Sequence, residues 1–215
     1  MRLISRGELP TLSFYPCIDD NTGATPFDAH YFYQGIWALK KIKNSRTKSH
    51  IDVGSEIKWV GLLSTVTDMT FIDIRPFNAK LENLTIRSGD ILNLPFGDNS
   101  VSSLSCLHVA EHIGLGRYGD KLDAKGTEKA CKELMRVLKP GGNLYFSVPV
   151  GKEKTYFNAH RVHLSKTIIE YFRGLKLIEL SGVTDSGEFI ENIDMNILEN
   201  STYACGLFWF RKKEG

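Results

Sequence analysis

The sequence predicts an α/β protein built on a parallel sheet. Three observations carry that expectation: short apolar runs alternate with helical segments, acidic residues close successive runs, and a glycine follows soon after the first acid. Seven candidate strands stand out, at His50–Val53, Thr70–Ile74, Leu84–Arg87, Val101–Leu107, Asn143–Val148, Lys176–Leu180 and Tyr203–Arg211. Helical segments at Ile57–Thr65, Thr127–Leu138 and Ser165–Phe172 supply the crossovers that parallel strands need. In the second of these, Ala130, Leu134, Val137 and Leu138 share one face, and Lys139-Pro140-Gly141-Gly142 adds positive charge, a helix stop and a turn. Apolar and aromatic positions at near-helical spacing predict a further amphipathic helix over Phe27–Ile42. Before it, Pro10, Pro16, Pro26 and the turn cluster Asp19–Gly23 predict an irregular arm. Residues 1–215 are expected to form a single domain, with 1–47 as the N-terminal arm and helix.

Composition narrows the function classes. The chain has 215 residues, 42% of them hydrophobic and 24% charged, which suits one globular core. A net charge of +2 without a stripe of Lys and Arg argues against a nucleic-acid partner. The four cysteines, Cys17, Cys106, Cys131 and Cys205, are scattered without a CxxC pair and read as buried thiols of a reducing compartment. Neither a signal-like N-terminal run nor a membrane-length apolar stretch is present, so a soluble, cytoplasmic protein with no membrane partner is expected.

Acids mark the site. Asp52, Asp73 and Asp90 fall at or just after strand ends, and an open parallel sheet binds ligands outside the carboxyl ends of its strands. Asp73 lies 21 positions after Asp52, near the spacing at which a second-strand acid meets the two hydroxyls of a ribose. Each acid taken alone is as readily a turn former or helix cap.

In order, these segments resemble the class I S-adenosylmethionine-dependent methyltransferases over about residues 48 to 150. Gly89-Asp90-Ile91-Leu92-Asn93-Leu94-Pro95-Phe96-Gly97-Asp98-Asn99-Ser100 is similar to the family's adenine-contacting segment, in which the acid matching Asp90 meets the adenine amino group. Val101–Leu107 followed by His108-Val109-Ala110-Glu111-His112 resembles the strand and turn lining the methyl-transfer site, and Glu133–Gly142 resembles the next helix and turn. Gly206–Phe210 is similar to the family's antiparallel last strand. The resemblance, closest to an uncharacterised methyltransferase-like branch, implies a doubly wound, mostly parallel seven-stranded sheet with that strand antiparallel, the Rossmann-like methyltransferase fold. It also implies S-adenosylmethionine as cofactor, held by Asp52, Gly54, Ser55, Asp73, Asp90, Ile91 and His108.

The glycine loop departs from the family pattern Asp-x-Gly-x-Gly-x-Gly, because Asp52-Val53-Gly54-Ser55-Glu56-Ile57-Lys58 keeps only the first glycine. Glu56 must therefore point away from the cofactor carboxylate or pair with its amino group, and Lys58 or the helix beginning near Ile57 is available to receive that carboxylate. Three functions are compatible with these residues. The leading one is methyl transfer to a small polar or saccharide-type acceptor, with His112 as general base, His163 as second choice, and Glu111 as an orienting or alternative acid. A methyltransferase fold retained as a catalytically silent scaffold is the alternative, for which Glu56 and Lys58 speak. His108-x-x-Glu111-His112 also matches a zinc-peptidase pattern, which requires a helix with both histidines on one face and a further ligand. No metal is expected under the leading reading. The segment Gly114–Gly126 and the stretch Tyr156–His163 are candidate covers for the acceptor.

Overall fold

The computed structural model describes residues 15–17 and 21–214, so expectations for the arm at 1–14 and 18–20 lie outside the described residues. Five strands, β1 (Ser49–Val53), β2 (Asp68–Asp73), β3 (Leu84–Ser88), β4 (Val101–Leu107) and β5 (Leu138–Val150), form the parallel part of the main sheet. After a small hairpin of β6 (Lys154–Tyr156) and β7 (His160–Val162) come β8 (Leu175–Val183), β9 (Phe189–Ile190) and β10 (Ala204–Lys212). The main sheet runs β3-β2-β1-β4-β5-β10-β8-β9, with β10 antiparallel to both β5 and β8. The predicted antiparallel last strand is therefore present. Among the described residues the main sheet has eight strands where seven were expected, because the two-residue β9 is an antiparallel return onto β8 too short to leave a pattern.

Among the described residues the helices are α1 (Ala29–Ser45), α2 (Ile57–Leu63), α3 (Gly126–Val137), α4 (Ser165–Tyr171) and α5 (Met195–Asn200). The alternation along β5 shows how the sheet divides the core: Leu144, Phe146 and Val148 join one buried cluster with Leu134, Phe172 and Phe208, while Tyr145 joins Trp37, Ile42 and Leu207 on the other face. On that second face, α1 is tied down by Ser147 Oγ donating to Gln34 Oε1 at 2.6 Å and by Trp37 Nε1 donating to Glu179 at 2.9 Å. Such polar partners fix the helix against the sheet where apolar contact alone leaves it free to slide.

Two local expectations are corrected. Strand β5 begins at Leu138 rather than Asn143, and the predicted turn Lys139–Gly142 is a bulge inside it: Val101 pairs with Leu138 and Ser103 with Asn143, which leaves the intervening residues off the ladder. Pro140, which has no N–H to give a ladder, and Gly141, at φ +73°, suit that bulge. Cys17 is exposed, whereas Cys106, Cys131 and Cys205 are buried free thiols. Among the described residues no helix is long and apolar enough to cross a membrane.

Candidate active site

Parallel strands end together, and that edge of the sheet carries two adjoining clefts. The larger, about 790 Å³, is lined by the start of α1 (Asp28–Tyr31), the β1–α2 turn (Gly54–Ile57), Asp73 and Arg75 after β2, and His108, Glu111 and His112 after β4. Arg117, Tyr118, His160 and Tyr203 close it from more distant parts of the chain. The smaller, about 310 Å³ and more apolar, lies between Val53, Ile72, Ile74, Asp90, Ile91 and Val109. Gly54, Asp73, Arg75, His108, His112 and Tyr118 line both, so the clefts are two lobes of one site.

The predicted residues separate into two groups. Gly54, Asp73, Asp90, Ile91, His108, Glu111 and His112 come together on these clefts, and Ser55 lines the larger one at its base. Asp52 does not. Its fully buried carboxylate accepts from Ser55 N (3.0 Å), Ser55 Oγ (2.8 Å), Trp59 Nε1 (3.1 Å) and Ser105 Oγ. Burial raises its pKa against the pull of these donors. Asp52 is thus an internal clasp of the β1–α2 turn, because its side chain faces the interior and not the ligand edge. His163 also stands elsewhere: it is buried against Thr127 Oγ1 (3.3 Å) and lines a separate depression with Arg161 and Glu153. Burial lowers its pKa to about 4.

The irregular glycine loop has a local explanation. Gly54 at φ +71° sits against Val109, whose Cγ1 would lie 2.9 Å from an added Cβ, so the one glycine retained is the one the turn requires. Ser55 Oγ is spent inside, donating to Asp52 and accepting from Leu107 N at 3.0 Å. Glu56 caps α2, its Oε2 accepting from Trp59 N at 3.0 Å. Lys58 is exposed on α2 and does not line the clefts.

At the end of β4 the chain turns sharply, with His108 at φ 55°, a conformation that costs a residue bearing a Cβ. The helix that the zinc-peptidase pattern requires is absent: Ala110–His112 form a single 3-10 turn, and the two histidines take different partners. His108 Nδ1 donates to Glu111 Oε1 at 2.9 Å. His112 Nδ1 lies 2.6 Å from Ala159 O, which can only accept, so Nδ1 donates there and Nε2 is the ring nitrogen outside that bond. Arg117 Nη1, 3.2 Å from the same carbonyl, shares it. The zinc-peptidase arrangement is not formed.

Glu111 is fully buried. Burial opposes its charge, but the hydrogen bond and charge of His108, with His112 behind, outweigh that and lower its pKa. Its Oε2 and the His160 Nε2 lack hydrogen-bond partners among the described residues, and both residues line the larger cleft. Such atoms are costly when buried and idle, which suits groups kept for a ligand. Rings stack around them: His30 on His108 (5.4 Å between centroids) and on Tyr203 (5.2 Å), and Tyr31 on His108 (5.3 Å).

His30, Tyr31, His160 and Tyr203 enter the site from both ends of the chain. An antiparallel β10 must begin at the edge where the parallel strands end, so the residues just before and within its start were placeable from the sequence. The helix preceding β1 must likewise begin there.

Strand order, antiparallel β10 and a two-lobed cleft over the strand ends define the class I S-adenosylmethionine-dependent methyltransferase fold. A family profile described as "Caenorhabditis protein of unknown function, DUF268" matches residues 91–203, just over half of the chain, and the chain belongs to that family. Among solved structures, the N-methyltransferase NodS from Bradyrhizobium japonicum, in complex with S-adenosylhomocysteine, superposes with a TM-score of 0.60 at 16% identity, covering 85% of this chain and 87% of that one. The [4+2]-cyclase SpnF does so at 0.59 and 14%, covering 82% and 81%. A demethylmenaquinone methyltransferase of Staphylococcus epidermidis is 44% identical over 64 residues, 30% of this chain. The match spans only 22% of that relative.

Proposed function

We propose that this protein is an S-adenosylmethionine-dependent methyltransferase acting on a small polar or saccharide-type acceptor. The observation that carries this reading is the pair of clefts meeting at Asp73 and His108: an apolar slot of nucleoside size opens into a polar chamber lined with histidine and tyrosine. The donor residues present suit the cofactor. Asp73 Oδ1 accepts from Arg75 N at 2.6 Å, which fixes the carboxylate at the junction of the lobes and leaves its other oxygen for ribose hydroxyls. Asp90 is similarly fixed by Leu92 N at 2.8 Å, beside Ile91 in the slot meant for adenine. Because Glu56 already caps α2, a methionyl ammonium suits that position better than a carboxylate does.

When bound, the cofactor supplies an electrophilic methyl group on a sulfonium. The chain's share is alignment and proton removal. His112 Nε2 takes the proton of an acceptor hydroxyl or amine, held in that role by the Nδ1 bond to Ala159. Glu111, 3.7 Å from His112 Nε2, steadies the charge that the ring then carries. His160 Nε2 and Glu111 Oε2 remain to orient polar groups on the acceptor. His163 lies off the clefts, against Thr127, and takes no part in this chemistry.

Calorimetric titration with S-adenosylhomocysteine, repeated on Asp73→Ala, tests the reading. Saturable binding that weakens at least about tenfold in the variant, a loss of about 1.4 kcal/mol, supports it. Folded protein that ignores the ligand would leave the fold in service as a scaffold.

A further inference from the structure

At the wall of the larger cleft, which His30 and His108 line, three side chains from distant parts of the chain turn nitrogen and sulfur atoms toward one another. His30 comes from the first turn of α1, His108 from the turn after β4, and Cys205 from the start of β10. One ligand atom from each lies within 4.8 Å of the other two. His108 Nε2 and Cys205 Sγ are 3.3 Å apart.

We propose that His30, His108 and Cys205 form a binding site for a zinc-class divalent metal ion, with a fourth coordination position facing the cleft. A thiolate and two imidazoles are the donor set that zinc prefers, and a catalytic-type zinc site keeps three protein ligands and one open position. The separation fits. With a zinc–sulfur bond of about 2.3 Å and a zinc–nitrogen bond of about 2.0–2.1 Å, tetrahedral geometry places sulfur and nitrogen about 3.6 Å apart, close to the observed pair. His30, partly exposed on the first turn of a helix, is the ligand free to adjust.

A second observation supports a ligand here. His108 has its other nitrogen, Nδ1, bonded to Glu111 Oε1 at 2.9 Å, which fixes the ring with Nε2 directed at Cys205. Metal-binding histidines are commonly held by such a carboxylate. Glu111 is fully buried and keeps Oε2 unpartnered among the described residues, so a compensating cation beside this carboxylate–imidazole pair has a place in the charge balance. The site differs from the zinc-peptidase reading of the sequence: His112 takes no part in it, and two of the three ligands lie outside the motif.

Metal binding here does not depend on methyl transfer, so the two readings fail separately. The test uses the tag-free chain of 215 residues, stripped with chelator and titrated with Co²⁺ and then Zn²⁺. One equivalent of Co²⁺ is expected to give tetrahedral visible bands and a thiolate-to-cobalt charge-transfer band, both displaced by one equivalent of Zn²⁺. Cys205→Ser should abolish the charge-transfer band. His30→Ala, which alters a partly exposed residue and leaves the core intact, should weaken Zn²⁺ by at least tenfold, and Glu111→Gln by about 10–100-fold. Cys17→Ser, at the exposed cysteine, should change nothing. Absence of a one-to-one complex, or a charge-transfer band that survives Cys205→Ser in folded protein, overturns the proposal. So does unchanged affinity in His30→Ala.

Discussion

Trp59 donates its indole N–H to Asp52 Oδ2 across 3.1 Å, joining the first turn of α2 to the end of β1. Three other donors converge on the same carboxylate, from Ser55 backbone, Ser55 hydroxyl and Ser105 hydroxyl. The turn that carries Gly54 and Glu56 into the cleft is therefore held from inside by one acid. Asp52→Ala leaves buried donors without an acceptor and should cost about 2–4 kcal/mol, read as a lower urea midpoint. A loss below about 0.5 kcal/mol would show that the turn does not need its clasp.

Glu56 provides a second prediction, this one on affinity. Its carboxylate caps α2 where the family pattern has glycine, and there it faces the cleft with negative charge. Glu56→Gln keeps an oxygen for Trp59 N and removes the charge. Binding of S-adenosylhomocysteine should weaken several-fold at low salt, with the loss shrinking as salt rises, because Glu56 faces the cofactor's ammonium. Tighter binding would instead show that Glu56 repels the cofactor's carboxylate.

His112 is expected to govern turnover rather than cofactor affinity. His112→Ala should reduce kcat by about 10²–10⁴ while leaving the Kd for S-adenosylhomocysteine within about twofold. Equal losses in both quantities would make His112 a cofactor-binding residue.

Acid stability follows from His50. Its ring is fully buried on β1 between Ser103 Oγ (2.7 Å) and Ser105 Oγ (2.8 Å), and burial lowers its pKa from 6.5 to about 3. The folded protein keeps this ring neutral while the unfolded chain protonates it below 6.5. The stability is thus fully present above pH 6.5 and is lost as the pH falls from there toward 3, at up to about 1.4 kcal/mol per pH unit. His163, lowered to about 4 by burial, adds to the same slope over a narrower window. Urea titrations between pH 7 and 4 should show a shallower decline for His50→Gln than for the parent chain. Parallel pH profiles would contradict the assignment.

The loop after the 3-10 turn is packed too closely for side chains. A Cβ on Gly126 would lie 2.0 Å from Ile113 O, and one on Gly114 would lie 2.2 Å from Asp123 O. Gly126→Ala should destabilise by about 1–3 kcal/mol or more and lower the melting temperature. A neutral effect would mean that the loop yields easily.

Strand β4 was readable to the residue, and α3 was readable to within one, because apolar periodicity over a run of that length reports which face is buried. The strand-end acids Asp73 and Asp90 were equally accessible, since chain order along a parallel sheet dictates which edge they reach. Orientation was not. Asp52 shares their position at a strand end, yet its side chain turns inward, where Ser105 from β4 and Trp59 from α2 meet it. His163 lies three residues from His160 but faces Thr127 rather than the cleft.

By itself, the sequence determined the α/β class, the order of the main strands and the helices between them, and the edge of the sheet at which chemistry must lie, because these follow from local periodicity and the direction of the chain. Only the tertiary structure decided which residues share the site. His30, Glu111, His160 and Cys205 lie far apart in sequence, and their meeting depends on how α1, the β6–β7 hairpin and β10 pack around the end of β4. That packing is set by long-range burial and by single polar ties such as Gln34 to Ser147, which leave no periodic trace in the sequence.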